Sequence, residues 1–310
     1  MKKILLLALC LLLGTSAYAG SITQFPNGVS DSGVSIYGTP ILNTYSGSVY
    51  WVQNSTGSDG NPGTKERPWK TMDYANGRCS ANKGDIVMIM PGHTESIIAA
   101  GGLDLDTSGV TFIGLGNGTD RPTFTFTTTK NADIDIDATN VSLSNIRFVS
   151  GIDEVVAMID VNAADFTIKN CTFENTASYQ TSANIDVGTN NTTIIGCLMK
   201  STPTGCVNGI AITSTGDQIV IKDNFIYGDF VNAGIYSGQI FTNALIAGNV
   251  VYNTQSGDHA IEFTAAGTGM LSDNRLAGDT AAAVLDPGSM YVIENYVATG
   301  NAHTGIAIPE

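Results

Sequence analysis

The chain has 310 residues and a formal net charge of −14, with 28 acidic side chains against 14 Lys and Arg. That excess of carboxylates argues against nucleic acid or an anionic membrane surface as a partner, since both carry the same sign. It suits divalent cations or plain solubility, and no linker of biased composition divides the chain.

Lys2 and Lys3 form a short positive segment, Ile4 to Leu13 an apolar one, and Ala17-Tyr18-Ala19 a small-x-small pattern before Gly20. Residues 1–19 therefore read as a cleaved secretory signal, and the expected location is outside the cell, secreted or at the cell surface. The apolar run is about ten residues, too short for a membrane span, and no other long apolar run follows. Cys10 lies inside that run, but Leu9 stands where a lipid-anchor motif needs a small residue. An ordinary signal is the reading preferred. Cys79, Cys171, Cys197 and Cys206 remain; export permits disulfides, but no CxxC or Cys/His spacing points to zinc.

Residues 20–47 form an N-terminal extension without a chemical motif. Residues 48–92 combine a strand around Tyr50-Trp-Val-Gln53, a Gly/Asp-rich loop over Gly57 to Thr64, and a helix expected from Pro68 to Arg78. Pro68 suits a first helical turn, with Trp69, Met72 and Ala75 facing inward. Gly84-Asp-Ile-Val-Met-Ile-Met-Pro-Gly92 then supplies the next strand.

From residue 93 to 310 the sequence repeats. Val141 to Phe148, Phe166 to Phe173, Thr192 to Met199, Ile219 to Ile226, Ala244 to Val251, Gly269 to Leu276 and Met290 to Val297 align in one stack. The column through Ile146, Cys171, Cys197, Asn224, Asn249, Asn274 and Asn295 advances by 21 to 27 residues per step. Short alternating strands at that period describe the coils of a parallel β-solenoid. Three strands per coil are expected, with a tight turn at the Asn column and a variable loop leading into the next coil. The asparagines should stack inward, their amides satisfying the turn backbone. Cys171 and Cys197 occupy the same column and read as buried free thiols. His303 to Glu310 reads as a last first strand, which leaves the C-terminal coil to be covered by another copy or a partner.

The segment from Tyr50 through Gly57-Ser-Asp-Gly-Asn-Pro-Gly-Thr-Lys-Glu-Arg-Pro-Trp-Lys-Thr71 to Gly92 resembles the N-terminal opening of pectin-lyase-like proteins. Those are right-handed parallel β-helices, among them polysaccharide lyases and phage or bacterial surface proteins. The stretch beginning Pro26-Asn-Gly-Val29 is similar to the start of phage-associated proteins. The resemblance implies an all-β, single-stranded right-handed parallel β-helix with a short N-terminal capping helix.

The first strand of each coil carries the strongest chemical signal. Leu103-Asp104-Leu105-Asp106 aligns with Ile134-Asp135-Ile136-Asp137, Ile159-Asp160-Val161-Asn162 and Ile185-Asp186-Val187-Gly188. With Leu, Ile and Val inside, Asp104, Asp135, Asp160 and Asp186 project outward in one column. Asp106 and Asp137 fall in a companion column, with Asp133 beside it. Stacked carboxylates about 4.8 Å apart repel, and calcium, which takes several oxygen ligands, would relieve that repulsion. The alternative is a solvated acidic face that discourages association.

The resemblance implies calcium-assisted β-elimination on an acidic polymer, for which Lys130 is the nearest cation to serve as base. Against this, the turns after the first strands are about three residues long and build no cleft. Neither an Arg-x-Pro-x-x-Arg pattern nor the Asn-Thr-Asp and Gly-His-Gly set of pectin hydrolases occurs. Both tryptophans belong to the cap, so Tyr179 and Tyr236 are the sugar-stacking candidates. The sequence thus favours an exported surface or recognition protein that binds cations, acidic glycans or both without clear catalytic machinery, with acidic or neutral polysaccharide as the expected partner; a calcium-dependent polysaccharide lyase is the alternative, and no organic cofactor is expected.

Overall fold

A computed structural model describes residues 47–175, 178–278 and 284–299, the side chains of 202–205 excepted, plus the backbone pairing of three short strands. Residues 1–19, expected to be a signal, and most of the N-terminal extension lie outside the described residues. Within residues 1–44, Ser30–Asp31 pairs antiparallel with Val34–Ser35. Residues 45–310 form the second compact unit, a parallel β-solenoid.

Three inward columns build its core. On the first strands Ile134, Ile159, Ile185, Ile210, Ile235 and Ile261 pair in register. The second strands stack Phe112, Leu143, Ile168, Ile194, Ile221, Ile246 and Leu271 in a ten-stranded sheet. The third strands begin with Phe124, Phe148 and Phe173 and continue through Met199, Ile226, Val251 and Leu276. All are buried, and each removes one large apolar side chain from water, worth about 1.5–3 kcal/mol.

The turn between second and third strands is made by one left-handed residue followed by the inward column. Asn145, Asn170, Gly196, Asp223, Gly248, Asp273 and Glu294 all have φ between 50° and 67°. Asn and Gly tolerate that conformation best. The next residue turns inward, and there the expected Asn ladder forms. Asn224 N–H donates to Asn249 Oδ1 (3.0 Å) and Asn249 N–H to Asn274 Oδ1 (2.9 Å). Each amide nitrogen in turn donates to a backbone carbonyl, as Asn249 does to Ile221 (2.9 Å). The cysteines substitute for asparagine: Ile146 N–H donates to Cys171 Sγ at 3.5 Å. Cys79, Cys171, Cys197 and Cys206 are free thiols. Burial pushes Cys79 up to about 12 and also raises Cys171 and Cys206, so none of these three is poised as a nucleophile.

Three expectations need correction. The helix spans Met72–Arg78 with Thr71 as N-cap, its hydroxyl accepting Tyr74 N–H, so Pro68 and Trp69 precede it. Trp69 cannot be helical because its N–H and C=O pair with Trp51 and Gln53 (both 2.9 Å), extending the sheet. Trp69 is nevertheless buried, as are Met72 and Ala75. Second, the loop into the next coil is absent from two coils: Leu198–Ile212 and Phe225–Ser237 are continuous strands. In the latter, Asn253 clamps the corner, accepting Phe230 N–H (2.9 Å) and donating to Phe230 C=O (2.8 Å), so pairing survives the bend. Third, Ile306–Ala307 returns antiparallel onto Tyr296 and Val297 rather than starting another coil. A reversal needs a shorter connection than a parallel crossover and pairs the open edge directly.

Candidate functional site

Because the inward residues of the first strands are apolar, the alternate positions must leave the solenoid, and they do so in register. Asp104 pairs with Asp135, Asp135 with Asp160, and Asp160 with Asp186. All four carboxylates are half-buried, flanked by buried Leu, Ile or Val. The column then continues through Ala211, Tyr236, Glu262 and Asp286. Tyr236 therefore shares the face of the acids, two rungs beyond Asp186.

Burial is the first cause of the column's electrostatics, and like charge the second. Asp135 is pushed up to about 7 by partial desolvation together with Asp133, Asp160, Asp137 and Asp104. Asp186 rises to about 6 through burial, although the Thr213 hydroxyl donates to it and opposes the shift. Burial also raises Asp104, Asp133 and Asp160. Asp133 accepts Gly101 N–H at 2.6 Å. In the companion column, Asp137 accepts from Asn162 (3.2 Å) and Asp106 from buried Asn76 of the helix (2.7 Å).

One carboxylate oxygen of Asp104 is buried without a hydrogen-bond partner. The donor set is oxygen only, which suits a hard cation such as calcium far better than zinc. Among the described residues, no three His, Cys, Asp or Glu side chains are already gathered as a metal cage. A cation would therefore draw neighbouring rungs together rather than fill a finished cavity.

The structure does not bring Lys130 to this column. Its carbonyl accepts Val156 N–H (2.8 Å), whereas Asp135 pairs with Asp160, four residues further along. That offset is about 13 Å of strand. Lys130 Nζ instead lies 3.6 Å from Glu154, and both line a cavity of about 200 Å³ together with Val156, Ser182 and Val207. Tyr179 is exposed, apart from the column's register pairs. His259 Nδ1 stands 3.8 Å from Glu262, which places this histidine beside the later rungs of the column.

His93 and Glu95 serve the cap. His93 is fully buried; its Nδ1 accepts Asn54 N–H (3.1 Å), which leaves Nε2 to donate to Glu95 (3.0 Å). Glu95 also accepts Met72 N–H (3.0 Å), one of the free donors at the helix start. Sequence reasoning missed a set of outward aromatics on the third strands, Phe225, Tyr227 and Tyr252 among them. Their signal was present in the repeat: Phe225-Ile-Tyr227 aligns with Val250-Val-Tyr252.

No family model matches the sequence, and no curated protein matches it. Among solved structures, the chain is similar to a rhamnogalacturonan lyase at 13% identity, covering 80% of this chain and 87% of that one, with a TM-score of 0.42. It is also similar to a GH136 lacto-N-biosidase from Eubacterium ramulus at 12% identity, covering 81% of this chain and 68% of that one, with a TM-score of 0.31. The solenoid assignment rests on the strand register of this chain itself. No described helix is long and apolar enough to cross a membrane.

Proposed function

We propose that this chain is an exported recognition protein whose first-strand acidic column binds divalent cations, calcium foremost, and through them holds acidic glycans without turning them over. The observation that carries the reading is the in-register stack of Asp104, Asp135, Asp160 and Asp186. Desolvation and mutual repulsion make full ionisation of this column costly, and a divalent cation offsets both at once. A bound cation with open coordination positions can then accept the carboxylate of a uronate.

The alternative, a calcium-dependent lyase, needs a base within reach of the proton beside that carboxylate. Pairing of Lys130 with Glu154, well along the strand from Asp135, weighs against it.

One experiment addresses both. The metal-stripped chain is melted with and without millimolar calcium, then incubated with uronate polymers while absorbance of an unsaturated product is followed. Calcium should raise the melting midpoint, because a ligand of the folded state alone stabilises it, and Asp135→Asn with Asp160→Asn should abolish the rise. An unchanged wild-type midpoint would sink the cation reading. Growing absorbance would replace recognition with the lyase.

A further inference from the structure

The third strands present a second outward face of different chemistry. One column runs Arg147, Thr172, Leu198 and Phe225; the neighbouring one runs Glu174, Lys200, Tyr227 and Tyr252. Leu198 is 42% exposed, Phe225 47% and Tyr252 40%. The Tyr227 and Tyr252 rings stand 5.4 Å apart, tilted by 35°. Rings on successive rungs thus form a short platform open to solvent.

At its N-terminal end lies a groove of about 430 Å³, lined by Arg121, Arg147, Thr172, Glu174 and Leu198 among others. Arg121 precedes the strand Thr123–Phe126, reaches past the coil of Arg147, and donates to the Thr172 hydroxyl of the coil beyond. Arg147 donates to Glu174 at 2.5 Å. The Nε–H groups of both arginines are buried without an acceptor. Two guanidiniums therefore face one carboxylate, a local surplus of positive charge on a chain of net charge −14.

A guanidinium fork fits a planar carboxylate, and Arg121 spends its hydrogen bond on a neutral hydroxyl. From Arg147 to the rung of Tyr252 is four steps, roughly 19 Å at the spacing of parallel strands. That is the reach of a short oligosaccharide laid along the solenoid. Tyrosine offers an apolar face with a polar tip, suited to a sugar ring. The interleaving of Lys200 between Leu198 and the rings argues for this occupant over a second copy of the chain, since the centres of protein interfaces are depleted of lysine.

We infer that this face binds an acidic oligosaccharide directly, with a sugar carboxylate at Arg121 and Arg147 and the following rings on Tyr227 and Tyr252. It is independent of the cation reading of the first-strand column, and chelation separates the two. The full mature chain is titrated calorimetrically in EDTA with hexamers of galacturonate, mannuronate and hyaluronan, with maltohexaose as neutral control. At least one acidic hexamer should bind. Arg121→Ala with Arg147→Ala should weaken it at least tenfold, and Arg147→Lys should weaken it less. Tyr227→Ala with Tyr252→Ala should also weaken it while keeping the preference for charged over neutral sugar. Failure of all three hexamers to bind in EDTA, or binding indifferent to the arginines, overturns the inference. So does a stable oligomer by light scattering that Tyr252→Ser dissociates, which would make the face a subunit contact.

Discussion

Asp135 pairs in register with Asp160 of the next coil, and both carboxylates leave the same face of the solenoid. Desolvation and mutual proximity hold Asp135 at about 7 and Asp186 at about 6, and raise Asp160 as well. The native state thus keeps protons that the unfolded chain releases near pH 4. Stability from this source is complete below the ordinary carboxylate range and is lost as pH rises through about 6 and then 7. The melting midpoint should therefore fall between pH 5 and 8 in metal-free buffer, and Asp135→Asn should flatten the slope. A midpoint that rises over this window in the wild type would mean the column carries no such strain.

The Asn ladder should tolerate loss of a rung poorly. Asn249 is fully buried and its side chain makes four hydrogen bonds: Oδ1 accepts from both Asn224 nitrogens, and Nδ2 donates to Ile221 C=O and Asn274 Oδ1. Alanine there strands several buried polar groups at once, at about 1–3 kcal/mol for each one left unpaired. Asn249→Ala is expected to lower stability by about 3 kcal/mol or more in chemical denaturation. Loss below 1 kcal/mol would show that the turn repairs itself.

Much of this was legible beforehand. The inward Ile columns and the Asn ladder repeat at a nearly constant interval, and a solenoid can satisfy such a period only by stacking it. The acidic column was legible for the same reason, since alternation beside buried Leu103, Ile134, Ile159 and Ile185 forces its aspartates outward. What escaped was neighbourhood across chain segments. Trp69 follows Pro68 in a helix-like context, yet it is drawn into the sheet by Trp51, which local sequence does not encode. The Tyr227–Tyr252 contact belongs here too: the repeat places both tyrosines one residue beyond inward Ile226 and Val251, but their rings meet only because successive coils stack. Arg121 meets Thr172 only because the coils stack, and no local pattern announces it.

The cap is predicted to depend on Glu95, which receives both His93 Nε2–H and Met72 N–H. Glu95→Ala removes the acceptor for a buried imidazole and for a helix-start donor together. The expected cost is about 2–4 kcal/mol, with early hydrogen exchange at Met72 to Ala75 while the amides of Ile221 and Ile246 stay protected. Uniform loss of protection along the whole solenoid would show instead that the cap does not unfold separately.

Glu294 is the one turn residue of its column that is neither Asn, Asp nor Gly, and its φ is 50°. A left-handed residue with a Cβ costs roughly 1–2 kcal/mol relative to the ordinary conformations, and asparagine tolerates the region better than glutamate. Glu294→Asn should raise the melting midpoint modestly. Glu294→Val should lower it by more, because a β-branched side chain is least compatible with positive φ. Asn295 follows immediately, and its Oδ1 accepts Asn274 N–H at 3.0 Å, so strain at Glu294 is transmitted to the last rung of the ladder. The expected order of stability is Asn, then Glu, then Val. If the valine variant melts with the wild type, position 294 does not hold the left-handed turn that the rest of the column requires.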